Sequence, residues 1–270
     1  MPGLHAEVSP SKMARILACP GSLWLEKQML NRFGETTSRF AAEGTAAHSL
    51  CELKLRKERG DINQFVYNEQ VKLLKDGNRT YDWKKIEWAT DVYVDEVMKH
   101  FYAAKRVDDA ADLMIEVKVD MSEVIPKCWG TSDAIVVSDK ELVVVDYKNG
   151  AGVAVSAVNN PQARLYGLGA HLLYLDLYKY PAIHTVIVQP NLNSITEETI
   201  TRDELMDWAN GIKPIVEQAV AGTDEYHAGD QCKFCAAKAL CYHRALECMR
   251  VVTDTGMQDP GIIPDRKSVV

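Results

Sequence analysis

An aspartate and a lysine lie two positions apart at the end of an apolar run, LVVVDYK, residues 142–148. Side chains of a β-strand alternate between its two faces, so Asp146 and Lys148 share one face. The apolar residues before them predict a central strand that is covered on both sides. This stretch alone is compatible with a salt bridge at a strand end and with a reactive pair.

A second carboxylate favours the reactive pair. Asp133, in GTSDAIVV, lies thirteen residues before Asp146, and SDKE predicts a tight connection between the two strands. Two close carboxylates repel each other unless a positive charge lies between them. Oxygen ligands suit Mg²⁺ or Mn²⁺, which lower the pKa of bound water and neutralise phosphate charge. Lys148 would orient the attacking water or stabilise developing charge, so the set predicts phosphodiester hydrolysis.

The elements around these residues predict an α/β fold with a mixed sheet. A helix is expected from Ser9 and Pro10 to an interruption at Cys19, another from near Thr45, and a third over residues 86–106. Residues 57–85 are expected to form loop or short helix. Three strands, a helix capped by Asn160, a strand and a polar edge strand follow. Thr201 and Glu204 then form a capping box for a last helix.

Four short motifs in this order resemble the PD-(D/E)XK nuclease superfamily, in its RecB-like branch. GTSD and VVVDYK match the acidic motifs, GTAAH ends in His48, and QARLY supplies Gln162 and Tyr166. Each motif is weak alone, and the series is specific. The resemblance extends from about Ser9 to Tyr242 and implies the restriction-endonuclease-like core of that superfamily, with the order α-β-β-β-α-β.

The resemblance also implies roles for these residues. His48, Asp133, Asp146 and the carbonyl group of Tyr147 would bind the metal, and Lys148 would complete the catalytic set with the two aspartates. Gln162 and Tyr166, which share a helix face, would lie near the DNA end. Two further acids are weighed separately: Glu116 is interpreted as surface charge that could join the site, and Glu52 as a residue behind His48.

Three cysteines near the C-terminus, Cys232, Cys235 and Cys241, have C-x2-C-x5-C spacing, and Cys19 lies far upstream. Zinc modules more often show two close ligand pairs, so Zn²⁺ would need a fourth ligand such as His227 or His243. The pattern resembles the iron-sulfur nucleases of the RecB-like branch, namely the AddB subunit and the CRISPR-associated nuclease that processes spacer ends. That resemblance implies a 4Fe-4S cluster on the four cysteines, as a staple holding the two chain ends beside the nuclease core.

The other cysteines, Cys51, Cys128 and Cys248, are expected to be thiols, with Cys248 the nearest competitor for a ligand position. Seven cysteines in a chain without an export signal favour metal binding over disulfides.

Length, charge and hydropathy further narrow the class of protein. The chain has 270 residues and a net charge of −7, which argues against a surface coated in basic charge. No apolar run approaches the ~20 residues of a membrane span, and the N-terminus lacks the apolar core of a signal peptide. We expect a cytoplasmic protein, in the host cytoplasm if a phage encodes it. One nuclease domain is expected over residues 1–249, with a core at about 86–221 and an extended tail at 250–270.

The expected function is a Mg²⁺- or Mn²⁺-dependent DNA exonuclease acting on single-stranded DNA or DNA ends. The chain has no Walker motif, and it resembles stand-alone nucleases that phages and mobile elements encode for recombination or replication, whose proteins would be its partners. One alternative is a weakly active or inactive DNA-binding or assembly module that keeps the fold. Another is a zinc-binding interaction protein whose acid pair is structural. Oligomeric state is not predicted.

Overall fold

The computed structural model describes the backbone of residues 6–34 and 38–254 and the side chains of these ranges up to residue 250. The chain divides into two compact units. Unit 1 comprises Met1–Pro10 and Thr36–Asn210, and unit 2 comprises Ser11–Glu35 and Gly211–Val270. None of the described helices is long and apolar enough to cross a membrane.

Unit 1 is built on a five-stranded mixed sheet whose strands lie in chain order. The strands are β1 (Asp112–Asp120), β2 (Trp129–Val137), β3 (Leu142–Tyr147), β4 (Ala182–Gln189) and β5 (Ser194–Thr201). Only the β3–β4 pair is parallel, and the connection between them contains a helix, as parallel pairing requires. The predicted mixed α/β fold and its α-β-β-β-α-β order are confirmed.

The helices fall into two sets along the chain. The first comprises α1 (Pro10–Ala18), α2 (Ser22–Phe33), α3 (Arg39–Arg59), α4 (Gln64–Gly77) and α5 (Trp83–Val107), and the second comprises α6 (Pro161–Tyr174), α7 (Arg202–Ala221) and α8 (Tyr242–Asp254). Helix α3 begins before Thr45, because the Ser38 hydroxyl caps it by accepting from the Ala41 amide at 3.1 Å. Helix α4 replaces the loop or short helix expected there, and it buries none of its residues.

The main core of unit 1 lies between helices α3 and α5 and one face of the sheet. Val143, Val145 and Tyr147 of β3 all belong to this core, together with residues of α3 and α5. Asp146 therefore lies on the opposite face, with Leu142 and Val144, as strand alternation predicted. All six residues of β3 are buried, which confirms a central strand covered on both sides.

Helix α6 covers that second face at short range. Asn160 caps it by accepting from the amides of Gln162 and Ala163, at 2.9 and 3.2 Å, and Pro161 is its first residue. Two glycines of α6, Gly167 and Gly169, face the sheet. A Cβ atom at Gly169 would lie 2.7 Å from Cβ of Val119. This close approach sets the distance between α6 and β1.

Unit 2 combines a segment near the start of the chain with its C-terminal part. The Arg15 side chain is buried and donates to Ser22 and Glu26, each at 2.6 Å. A short 3₁₀ helix (Asp230–Phe234) precedes α8, which extends into the predicted tail as far as Asp254. The rest of that tail lies outside the described residues.

Candidate active site

Three acidic residues form a row across the first three strands. Ile115 pairs with Ala134 and Val117 with Ser132, so the same register places Glu116 opposite Asp133. The β2–β3 ladder ends at the pair Ala134–Val145, and one step further Asp133 lies opposite Asp146. The acids therefore meet where β2 and β3 cease to pair.

Glu116 has the most unusual surroundings in this row. Its φ angle is 53°, in the left-handed region that residues other than glycine seldom adopt. Burial, followed by the charges of Asp133 and Glu52, raises the pKa of Glu116 to about 7. Backbone outliers of this kind cluster at functional sites. The interpretation of Glu116 as surface charge is not what the structure shows, because this half-buried carboxylate lies within the acidic row.

His48 reaches the row from α3. Its Nδ1 lies 3.2 Å from an oxygen of Asp133, and its ring meets the Tyr147 ring edge-on at 5.3 Å between centroids. Burial favours the neutral imidazole, but the hydrogen bond to Asp133 and the charges of Asp133 and Asp146 outweigh it and raise the pKa of His48. The small residues Ala46 and Ala47 are buried beside it, which allows α3 to approach the sheet closely.

The position of Asp133 is fixed from the other side by the backbone of β3. The Tyr147 amide donates to Asp133 Oδ2 at 2.8 Å, while Oδ1 faces His48. The Tyr147 ring is fully buried, and its hydroxyl donates to Asn149 at 2.9 Å. Tyr147 thus lies at the centre of the site, and metal binding by its carbonyl oxygen stays a prediction.

Asp146, Lys148 and Gln162 form a second set of contacts. Lys148 Nζ lies 2.8 Å from Asp146 Oδ2 and donates to the side-chain oxygen Oε1 of Gln162 at 3.0 Å. The side-chain nitrogen Nε2 of Gln162 donates to Asp146 Oδ1 at 3.4 Å. Burial raises the pKa of Asp146, as does the charge of Asp133, while Lys148 and His48 oppose the rise. The glutamine of QARLY therefore holds the lysine and aspartate of the VVVDYK motif.

Tyr166 lies behind this set, one helical turn after Gln162. It is buried, and burial together with the charges of Asp146 and Asp133 raises the pKa of its hydroxyl far above the usual range. A Cβ atom at Gly130 would lie 3.1 Å from the Tyr166 ring and 2.9 Å from Pro10. The glycine of GTSD is needed for this close packing.

The donor set suits a hard divalent cation. One ligand atom from each of His48, Glu116 and Asp133 lies within 4.8 Å of the others. Asp146 is outside this group, because its buried Oδ2 is engaged with Lys148 at 2.8 Å. Three adjacent carboxylates repel one another without a cation. The acidic and histidine side chains could therefore bind a divalent metal.

The cysteines predicted as cluster ligands lie in unit 2. The backbone amide of His227 donates to Cys19 Sγ at 3.4 Å, and burial, followed by the nearby Cys19 and Cys241, raises the pKa of Tyr226. Glu26 Oε1 accepts from the Ala236 amide, next to Cys235, at 2.8 Å. Cys19 and the C-terminal segment thus approach each other across more than two hundred residues of sequence.

The sulfur atoms of these cysteines are not arranged for a single ion. Zinc, with Zn–S bonds of about 2.3 Å, would hold its ligand sulfurs within roughly 4.6 Å of one another. Among the described residues, no three cysteine sulfurs lie within 4.8 Å of one another. Burial raises the pKa of Cys235 to about 11, so ligation would release its proton.

Fold and site together define a mixed α/β protein with a cluster of acidic and histidine side chains that could bind a divalent metal. The chain belongs to the family described as "Protein of unknown function (DUF2800)", whose model matches residues 5–267. It is similar in structure to a "Putative exonuclease" from Eubacterium rectale, with a TM-score of 0.48, 11% identity and 86% of each chain covered. It is also similar to SSO0001, with a TM-score of 0.33, 12% identity, and 86% of this chain and 96% of that one covered. Likenesses this distant do not identify an activity.

Proposed function

We propose that the protein is a metal-dependent deoxyribonuclease. One observation carries the proposal: the acidic row has an imidazole beside its central aspartate, Asp133, and, at its β3 end, a lysine held by an aspartate and a glutamine. The neighbour named as an exonuclease agrees with this proposal but adds no weight to it.

The proposed site divides into two parts. His48, Glu116 and Asp133 would hold a divalent cation together with Asp146, and that cation would offset phosphate charge and lower the pKa of water. Lys148 would then lie beside the scissile phosphate, where its ammonium stabilises charge that develops in the transition state. Gln162 keeps Lys148 on the metal side of β3 through its 3.0 Å contact.

The finer proposals concern substrate and cofactor. By the motif resemblance, the substrate is single-stranded DNA or DNA ends, cleaved as an exonuclease in recombination or replication. Cys19, Cys232, Cys235 and Cys241 would bind a 4Fe-4S cluster, which the approach of Cys19 to the C-terminal segment supports. The backbone N–H group of His227 donates to Cys19 Sγ, and hydrogen bonds of this kind tune the reduction potential of iron-sulfur clusters.

The test is cleavage of end-labelled single-stranded and double-stranded DNA with Mg²⁺ or Mn²⁺, against an EDTA control. We expect metal-dependent shortening of the labelled strand. Lys148→Ala should lower the turnover number by about 10²-fold or more and leave DNA affinity nearly unchanged, because the lysine acts in the transition state. Lys140→Ala, in the exposed β2–β3 connection, is the matched control.

Two results would reject the proposal. Cleavage by Lys148→Ala at the wild-type rate would remove the lysine from the catalytic set. DNA binding without cleavage by metal-loaded wild-type protein would favour the inactive binding module.

A further inference from the structure

Unit 2 contains a pocket that the proposed nuclease site does not use. Its volume is about 310 Å³, at the lower end of the range for small-molecule sites. Both α2 and the start of α8 contribute to its walls, as does the segment before the 3₁₀ helix. The lining side chains include Trp24, Gln28, Arg32, Tyr226, Tyr242 and His243, and also Cys241, one of the proposed cluster ligands.

Several aromatic side chains line the pocket. The rings of Tyr226 and His243 stack with 4.9 Å between centroids and 26° between planes, and Tyr242 meets His243 edge-on. Trp24 is 45% exposed although it lines a concave surface. Aromatic side chains in this arrangement favour a planar aromatic ligand, which can stack on a ring, over an aliphatic one, which cannot.

The polar groups in the pocket are available to a ligand. Among the described residues, the side chains of Trp24, Gln28 and Tyr242 have no hydrogen-bond partner, and Arg32 has no carboxylate partner. The Arg32 guanidinium lies over the neighbouring Phe33 ring, 5.3 Å from its centroid. Amide, indole and phenol groups can hydrogen-bond a bound strand, and an arginine can pair with a phosphate.

We propose that this pocket binds a nucleobase of single-stranded DNA by stacking, with Arg32 on an adjacent phosphate. That the ligand is DNA rests on the proposed function, and the pocket would add a binding subsite in unit 2 that is separate from the metal site in unit 1. Stacking of bases on aromatic side chains tolerates any sequence, because every base has a π-face. The subsite would therefore strengthen DNA binding without selecting a sequence.

The experiment compares two labelled strands of equal length and charge, oligothymidylate and an abasic oligomer, by fluorescence anisotropy in EDTA. Wild-type protein should bind oligothymidylate at least about tenfold more tightly, as loss of one stacked base predicts. Trp24→Ala should abolish that difference and leave affinity for the abasic strand unchanged. Trp88→Ala is the matched control, since Trp88 is 50% exposed and lies on α5 in unit 1.

A second measurement needs no variant. Photocrosslinking of wild-type protein to a strand containing 4-thiothymidine should label peptides that carry Trp24 or Tyr242. Equal affinity for both strands, equal effects of Trp24→Ala and Trp88→Ala, or crosslinks confined to unit 1 would overturn the proposal. Binding in EDTA does not depend on metal catalysis, so base-dependent binding in EDTA together with no cleavage in Mg²⁺ or Mn²⁺ would reject only the proposed function. Cleavage by a Trp24→Ala protein with unchanged binding would reject only the pocket.

Discussion

Among single residues, Glu116 is expected to govern how the acidic site responds to pH when EDTA removes divalent metal. Its pKa of about 7 lies above the usual glutamate value of 4.5, because burial and neighbouring carboxylates disfavour its charge. The folded state therefore binds this proton more tightly than the unfolded state. The associated stability is fully present below pH 4.5 and is lost as pH rises through about 7.

We predict that Glu116→Gln flattens this pH dependence in EDTA. Between pH 5 and pH 8 the wild-type protein should lose about 1 kcal/mol more stability than the variant, once water around this half-buried group is allowed for. Thermal unfolding would show this as a difference of about 2–4 °C. Glu58→Gln, at an exposed position of α3, is the control. Parallel pH profiles for wild type and Glu116→Gln would contradict the electrostatic account.

His48 carries a separate residue-scale prediction about metal choice. An imidazole ligand suits softer ions better than Mg²⁺, so Mn²⁺ should support cleavage at least as well as Mg²⁺. His48→Ala should weaken Mn²⁺ binding by at least about tenfold in titration calorimetry, as expected when a ligand is lost. His184→Ala removes a histidine of β4 that is hydrogen-bonded to Thr199 of β5, and it should leave Mn²⁺ binding unchanged. Normal Mn²⁺ binding by His48→Ala would exclude the histidine from the ligand set.

The sequence predicted part of this site for a geometric reason. Val137 pairs with Leu142 across the short β2–β3 connection. Asp133 precedes Val137 by four residues and Asp146 follows Leu142 by four, so a tight turn alone sets them opposite each other. Glu116 could not be placed in the same way, because residues 121–128 join β1 to β2 and a connection of that length does not fix the register.

At the scale of elements, the contact between α6 and the sheet positions Gln162 against Lys148. The start of α6 was predictable from Asn160 and Pro161, which form a standard helix start. Helix α4 was expected only as loop or short helix. Asn63 caps it by accepting from the backbone amide of Val66, but its apolar side chains, such as Val71 and Leu74, are only partly buried against the core. Its sequence between them is mostly polar, which weakens the apolar signal.

We predict that Gly169→Ala destabilises the protein and impairs the site. The added methyl group would overlap Val119, a cost of typically 1–3 kcal/mol that exceeds the gain in helix propensity of up to about 1 kcal/mol. Gly211→Ala, at a helical position with nothing within 4 Å, should instead stabilise by about 0.5–1 kcal/mol. Urea unfolding measures both effects. If both variants gain stability, α6 does not pack as closely as described.

At the scale of the whole molecule, the residues with proposed chemistry are divided between the two units. The metal-binding candidates lie in unit 1, and the four cysteines lie in unit 2. The sequence grouped Cys19 with the C-terminal trio only through resemblance to a family. Neither hydrophobic periodicity nor spacing relates residues so far apart in the chain.

We predict that anaerobically purified protein is brown and contains about four irons per chain. Cys19→Ser should bleach it and lower its thermal stability, because ligation energy is also folding energy. Mn²⁺ binding in unit 1 should remain. Cys248→Ser is the control and should keep its iron. Colourless, zinc-loaded protein from iron-replete cells would favour the zinc alternative.

The division into units also has a consequence for biosynthesis. Unit 1 from Thr36 onwards is inserted between the two segments of unit 2, so its strands can pair while the ribosome is still translating the rest. Helices α1 and α2 emerge first but must wait for their partners. Between Cys19 and Cys241 lie 222 steps of elongation, roughly 10–45 s at 5–20 residues per second. If Cys19 binds the proposed cluster, the nascent chain would present this cysteine to chaperones and to the proteins that deliver iron and sulfur during that interval. The segment that is synthesised first would then be the last to reach its final structure.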